Sequence, residues 1–228
     1  MKMYGGTDIG LVRETNQDNF YIDEAKNWAV VADGMGGHNG GETASNLAVE
    51  EIKKSMAEEA ELTEAVEAAN SVVYNMSVEN RYLDGMGTTV VLCRVEGGKA
   101  HFAHVGDSRA YILRGGELKQ ITKDHSIVQQ LIDCGTITEE QAKYHPQRNL
   151  ITRAVGTEKG ILVDYNTAEL LEGDIVVMCS DGLSSYVSEQ VIAETVKGSE
   201  GDAAVKRLIE LANESGGKDN VTVVIIKA

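Results

Sequence analysis

The chain holds one proline, Pro146, and three cysteines, Cys93, Cys134 and Cys179, in 228 residues. Odd in number and without Cys-x-x-Cys spacing, the cysteines fit neither a disulfide framework nor a zinc site, and reduced core thiols are expected. Long hydrophobic runs are missing as well. The apolar stretches are strand-sized, well short of the roughly 20 residues that span a bilayer. The opening Met-Lys-Met-Tyr-Gly-Gly contains no signal-peptide core. A cytoplasmic chain without membrane insertion is the expectation. Positive charge is scarce: 21 Lys and Arg stand against 36 Asp and Glu, for a net charge of −15. No basic patch could dominate that field, which argues against nucleic acid or an anionic membrane as partner. Linkers, repeats and low-complexity tracts are also absent. With 42% hydrophobic and 25% charged residues, the composition supports a substantial core in one domain over residues 1–228.

What the chain does have is a recurring arrangement at the ends of apolar runs. Asp33 follows Trp28-Ala29-Val30-Val31-Ala32, Asp107 follows His101-Phe102-Ala103-His104-Val105-Gly106, and Asp181 follows Val176-Val177-Met178-Cys179-Ser180. A fourth, Asp219, stands in a glycine loop just before Val221-Thr222-Val223-Val224-Ile225-Ile226. Taken singly, Asp-Gly and Lys-Asp-Asn are ordinary turn chemistry. Four carboxylates at the rims of buried strands repel one another unless cations lie between them. The recurrence therefore points to a multi-metal centre with oxygen ligands.

Strand patterns cover residues 88–95, 101–105, 110–114 and 118–122 around a Gly115-Gly116 hairpin, then 161–165 and 174–179. Two long helical patterns lie between residues 41 and 80. Ala44, Leu47, Ala48, Ile52 and Met56 form one apolar stripe, and Val66, Ala69, Val73 and Met76 the other. A third helix is predicted over 201–214, with Asp202 as its N-cap and Gly216-Gly217 ending it. Consecutive helices followed by hairpin-linked strands do not fit βαβ alternation. The pattern predicts an α+β fold in which two antiparallel sheets stack as a sandwich with helices outside. Residues 124–156 read as an insertion-like, flap-like lobe. It carries a short helix over 127–134 and a second opened by the capping box Thr138-Glu139-Glu140-Gln141. Such a lobe serves as a substrate-facing flap or as passive packing.

Two polar segments complete the picture. Residues 7–20 place Arg13 near Asn16, Gln17 and Asp18 in an insert between strands. An arginine there can fork onto a phosphate, or pair with Glu14 or Asp18 at the surface. Asp33-Gly34-Met35-Gly36-Gly37-His38-Asn39-Gly40-Gly41 lets the backbone approach a ligand closely. No Gly-Lys-Ser/Thr follows and no βαβ setting surrounds it, which argues against a nucleotide cradle.

The ordered set Arg13, Asn16-Gln17-Asp18, Asp33-Gly34-Met35-Gly36-Gly37, Gly87-Thr88-Thr89, Gly106-Asp107-Ser108-Arg109, Ser180-Asp181-Gly182 and Asp219-Asn220 resembles the bacterial metal-dependent serine/threonine phosphatases, the protein phosphatase 2C family. The resemblance runs from about residue 7 to residue 227. It implies a β-sandwich with helices on both faces and two Mn²⁺ or Mg²⁺ ions at one end. Asp33 is implied as the bridging ligand, the Gly34 carbonyl as a ligand of the second ion, and Asp181 and Asp219 as further ligands of the first. Asp18 is implied to act on the second ion through water. A third ion is implied between Asp107 and Asp181, and Arg13 corresponds to the arginine that grips the substrate phosphate. Hard oxygen donors without histidine or cysteine suit Mg²⁺ or Mn²⁺ over Zn²⁺.

The implied function is hydrolysis of phosphoserine and phosphothreonine on proteins by a metal-bridging hydroxide, with no covalent phosphoenzyme. Phosphorylated proteins would be the substrates, a serine/threonine kinase the counterpart, and the chain a monomer. One departure stands out: Met35 occupies the place where eukaryotic relatives carry a histidine thought to protonate the leaving group. His38, three residues on, could serve instead, or a metal-bound water. Gln17 stands where some relatives have a glutamate. His101 and His104 lie in a strand pattern and are expected to be structural. Two other readings compete. A silent, regulatory relative would have lost its metal-binding aspartates, which are present here. A phosphatase of small phosphomonoesters stays open, with the lobe at 124–156 as the discriminator.

Overall fold

The computed structural model describes residues 1–37 and 40–228. Strands β1 (Lys2–Asp8) and β2 (Asp18–Asp23) flank the polar insert, one in each of two sheets. Then come β3 (Trp28–Met35), the long helices α1 (Gly40–Ala57) and α2 (Leu62–Glu79), and the strands β4 (Gly87–Thr88), β5 (Val90–Glu96), β6 (Lys99–Val105), β7 (Arg109–Arg114) and β8 (Glu117–Gln120). The lobe contributes α3 (Ile127–Asp133) and α4 (Glu139–Ala142). The chain closes with β9 (Asp164–Glu169), β10 (Ile175–Cys179), α5 (Asp181–Ser184), α6 (Glu189–Gly198), α7 (Asp202–Glu214) and β11 (Val221–Lys227). One sheet runs β1-β11-β10-β7-β8 and the other β2-β3-β5-β6-β9, with β4 beside β3. Every pairing is antiparallel.

Side-chain alternation builds the layers. On β3, Ala29 and Val31 point between the sheets and meet Phe102, Met178, Val224 and Ile226. Trp28, Val30 and Ala32 point the other way, onto Ala48, Ile52, Val66 and Val73 of α1 and α2. On β11, Val224 and Ile226 face inward, while Val221, Val223 and Ile225 pack with Ile192 and Leu208 of α6 and α7. The central strands are thus buried on both faces, which is why they read as unbroken apolar runs rather than as alternating ones. Burying one large aliphatic or aromatic side chain is worth about 1.5–3 kcal/mol, so helices on both outer faces are needed to cover these strands. The predicted α-β-β-α sandwich is what the structure shows.

Several local expectations need correcting. β3 does not stop at Asp33 but continues to Met35, because Gly34 and Met35 pair with Thr88 and Gly87. β9 starts at Asp164, later than the pattern at 161–165 suggested. The cap of α7 is Gly201 (φ +52), with Asp202 as the first helical residue; a side chain at 201 would strike the Tyr4 ring. Cys134 is exposed at the end of α3, whereas Cys93 and Cys179 are buried. Met76 is 37% exposed and lies outside the core stripe. Helix α6 escaped the sequence reading altogether. Its Ser188 side chain caps Val191 N–H, but only Ile192, Ala193 and Val196 are buried, too short a stripe to stand out.

Candidate metal centre

The strand-end aspartates meet at one end of the sandwich. Asp33 lies near the end of β3, Asp107 just past β6, Asp181 at the first turn of α5 after β10, and Asp219 in the loop before β11. With Arg13 and Gly34 they line a cavity of about 250 Å³. Thr89, Asn149 and Ile151 complete much of the wall. Asp18 stands behind this wall, 8% exposed. Of the residues singled out from sequence, His38 lies outside the described residues.

Hydrogen bonding explains why these positions are fixed. Asp33 N–H donates to Thr89 Oγ1 (3.0 Å), and its carbonyl accepts from Thr89 N–H (2.8 Å) and Thr88 Oγ1 (2.9 Å). Gly34 is pinned by its N–H on the Gln17 carbonyl (3.1 Å), and a Cβ there would lie 2.1 Å from Gly41 O. Gly182 must likewise be glycine, since a Cβ would fall 1.8 Å from Asn220 O. Asn220 is a hub that sequence reasoning noted without giving it a task. Its Oδ1 accepts from Gln17 N–H (2.8 Å), and its Nδ2 donates to the carbonyls of Ile9 (2.9 Å) and Thr15 (3.0 Å). It therefore ties the insert carrying Arg13 to the loop carrying Asp219. Arg13 Nη2 contacts Asp219 Oδ2 at 2.7 Å.

The electrostatics are those of crowded carboxylates. Burial, then repulsion from Asp18, Asp181 and Asp107, pushes Asp33 well above the usual carboxylate range. Burial and Asp181 push Asp107 up to about 7. Burial and Asp219 push Asp181 up to about 6, although a hydrogen bond with Asp33 pulls the other way. These groups are only partly exposed and line the cavity, so they are poorly hydrated while that side stays reachable. Burial also raises Asp18 to about 7, against hydrogen bonds from Ser180 and Thr222.

Three features of the chain fit hard cations. The donors around the cavity are oxygens, as Mg²⁺ and Mn²⁺ prefer. Asp18 Oδ1 is buried without any hydrogen-bond partner, a costly arrangement for a carboxylate in a protein interior. A Cβ on Gly41 would come within 2.7 Å of Gly34 O and 2.6 Å of Gln17 Oε1, so glycine there keeps the space beside that carbonyl open.

Among the described residues, the one tight trio of metal-competent side chains lies elsewhere: His104, His125 and Asp164, with ligand atoms within 4.8 Å of one another. Proton positions argue against a cation there. His104 Nε2 donates to the Lys123 carbonyl (2.9 Å), leaving Nδ1 a bare acceptor. Gly106 N–H donates to His125 Nδ1 (3.0 Å), so that ring keeps its proton on Nε2, 3.4 Å from Asp164 Oδ2. A cation would have to displace this proton and sit beside Arg153, 2.6 Å from the same carboxylate. The trio is a joint that fastens the foot of the lobe to β6 and β9. His104 is thus structural, and His101 bonds Tyr165 Oη at 2.7 Å.

A paired-sheet sandwich with this aspartate cavity defines a class, and a family model described as protein phosphatase 2C matches residues 12–216. The chain belongs to that family. Serine/threonine protein phosphatase PstP of Mycobacterium tuberculosis is 43% identical over 225 residues, covering 96% of this chain and 43% of that protein. The chain therefore spans less than half the length of that relative. Protein phosphatase PhpP of Streptococcus pneumoniae is 35% identical over 233 residues, covering 96% of this chain and 94% of that protein. Among solved structures, the catalytic domain of serine/threonine protein phosphatase PstP in complex with two manganese ions superposes with a TM-score of 0.89. That pair shares 40% identity over 98% of this chain and 96% of the other.

Proposed function

We propose that the chain hydrolyses phosphoserine and phosphothreonine monoesters on proteins, using two Mn²⁺ or Mg²⁺ ions held by the cavity aspartates. The observation that carries this reading is the convergence of Asp33, Asp107, Asp181 and Asp219 on one cavity, with Arg13 in its wall. Asp33, Asp181 and Asp219 would hold the first ion, and Asp33 with the Gly34 carbonyl the second. Asp18 would act on the second ion from behind, and Asp107 with Asp181 would hold a third. When bound, the cations supply Lewis acidity and acidify water towards a nucleophile.

The chain's own groups do the rest. Arg13 uses Nη2 on Asp219, and the other donors of its fork can take phosphoryl oxygens. Thr88 and Thr89 hold the Asp33 backbone still, so little reorganisation is needed as charge develops. Neither nearby serine is placed to attack a substrate: Ser180 and Ser108 are both buried, and neither lines the cavity. His38 is kept as the candidate acid for the leaving group. Asn149 and Ile151 extend the wall with groups from the lobe, which favours a protein substrate over a small ester. A cytoplasmic setting, a kinase counterpart and a monomeric state go with this reading. No helix among the described residues is long and apolar enough to cross a membrane.

The test compares kcat/KM on a phosphothreonine peptide and on p-nitrophenyl phosphate, with Mn²⁺ and with chelator. Peptide turnover that needs Mn²⁺ is expected. Turnover of the small ester alone would move the chain to the second reading.

A further inference from the structure

Asp18 sits on β2 beneath the cavity, and alternation turns its side chain into the space between the sheets, as it turns Phe20 on the same strand. There its Oδ2 accepts two hydroxyl hydrogen bonds from the opposite sheet side, Ser180 Oγ (2.7 Å) and Thr222 Oγ1 (2.7 Å). Ser180 and Thr222 are both fully buried. The proton direction can be read along the whole chain of contacts. Thr222 commits its single hydroxyl proton to Asp18, so Thr7 Oγ1, 2.7 Å away, must donate to Thr222. Asn16 Nδ2 in turn donates to Thr7 Oγ1 (2.8 Å), while Asn16 Oδ1 accepts from Asp18 N–H (3.2 Å). On the other branch, Ser180 Oγ accepts from Thr222 N–H (3.0 Å), which leaves its proton for Asp18. The side-chain donors point the same way, towards Asp18 Oδ2, while the Asp18 N–H on Asn16 closes the loop.

We propose that Thr222 and Ser180 are positioning residues for Asp18, and that Thr222, through Thr7 and Asn16, links that carboxylate to the insert carrying Arg13. The inference rests on the metal-site reading of the cavity. Two donors on Oδ2 fix the rotation of the carboxylate and leave Oδ1, which has no partner, as the oxygen offered towards the second ion or its water. The sheet-to-sheet bond between Asp18 and Thr222 also fastens the two sheets at the metal end. Thr7 and Thr222 are direct cross-strand partners of β1 and β11, so the relay belongs to the sheet rather than to a loop.

The experiment titrates the full chain with Mn²⁺ by calorimetry after chelator treatment, for wild type, Thr222→Val, Thr222→Ser and Ser180→Ala, with a melting curve in chelator for each. Loss of a partner behind a metal ligand typically weakens metal affinity by about 10–100-fold. Thr222→Val should fall in that range, and Thr222→Ser, which keeps the hydroxyl, should stay within a few-fold of wild type. Ser180→Ala carries the same expectation as Thr222→Val and serves if the valine variant does not fold. A purely structural role would lower the melting temperature and leave Mn²⁺ affinity of the folded protein unchanged, which overturns the inference. So would a serine variant as weak as the valine one. Wild type that takes up no Mn²⁺ overturns the metal-site reading itself.

Discussion

Asp18 and Asp33 are directly opposite each other on β2 and β3. Like charges at opposed positions of an antiparallel pair are destabilising, and here Asp18 is buried while Asp33 meets solvent at the cavity. Burial holds both carboxyls above their usual range; repulsion from Asp18 adds to it at Asp33, and repulsion from Asp181 and Asp219 adds to it at Asp18. The fold therefore keeps, at one end of its sandwich, a pair that a divalent cation would relieve.

Cation binding should consequently stabilise the protein. At a free Mn²⁺ concentration of about 100 times Kd, linkage predicts about 2.7 kcal/mol. For a domain of this size that corresponds to a rise in Tm of roughly 5–10 °C. Melting curves with Mn²⁺ and with chelator check it; coincident curves would speak against cation binding at the cavity.

The same pair gives a pH dependence in chelator. In the unfolded chain Asp18 is ionised well below pH 6, whereas the folded protein keeps its proton up to about 7. The folded state then binds more protons, so this contribution is present at low pH and is lost as pH rises through 7. Buried His104 and His125, whose values are lowered, act in the opposite sense, so the contrast with Asp18→Asn cancels them and reports Asp18 together with the Asp33 carboxyl it repels. Relative to wild type, Asp18→Asn should gain stability between pH 6 and pH 8. An unchanged difference would mean that Asp18 does not titrate in that range.

Gly41→Ala tests the space beside the Gly34 carbonyl. Gly41 is the second residue of α1, and a Cβ there would press on Gly34 O and Gln17 Oε1 and force one of them to shift. Mn²⁺ affinity should drop, and the melting temperature in chelator should fall as well. Unchanged affinity, measured by titration calorimetry, would remove Gly34 O from the candidate ligands.

Arg13→Ala should raise KM for a phosphopeptide more than it weakens metal binding. Hydrogen bonds to a charged group are worth about 1.5–3 kcal/mol, which predicts a loss of roughly 10–100-fold in kcat/KM. Its side chain is half exposed, so stability should be little affected. Weakened metal affinity with KM unchanged would instead make Arg13 a support for Asp219.

Much of this was legible in the sequence, and the reason is physical. Strands buried on both faces leave apolar runs, and the carboxylates that end Trp28–Ala32 or Val176–Ser180 stand out against them. Alternation could have carried the reading further, because Thr7, Asp18, Asp33 and Thr222 continue the inward faces of Met3, Phe20, Val31 and Val224. What could not be read was partnership across distance. Ser180 and Asp18 are 162 positions apart, and nothing local in either segment announces the bond. The task of Asn220 stayed hidden for the same reason: its partners Ile9, Thr15 and Gln17 lie at the other end of the chain. Helix α6 was missed because three buried residues make a weak stripe.

The most direct measurement is phosphate release from a phosphothreonine peptide by wild type and Asp181→Asn, titrated with Mn²⁺ and repeated in chelator. Asp181 lines the cavity with Asp33, Asp107 and Asp219, so wild type should turn over only with the cation and the variant should lose nearly all activity. Turnover in chelator, or a fully active Asp181→Asn, would contradict the account.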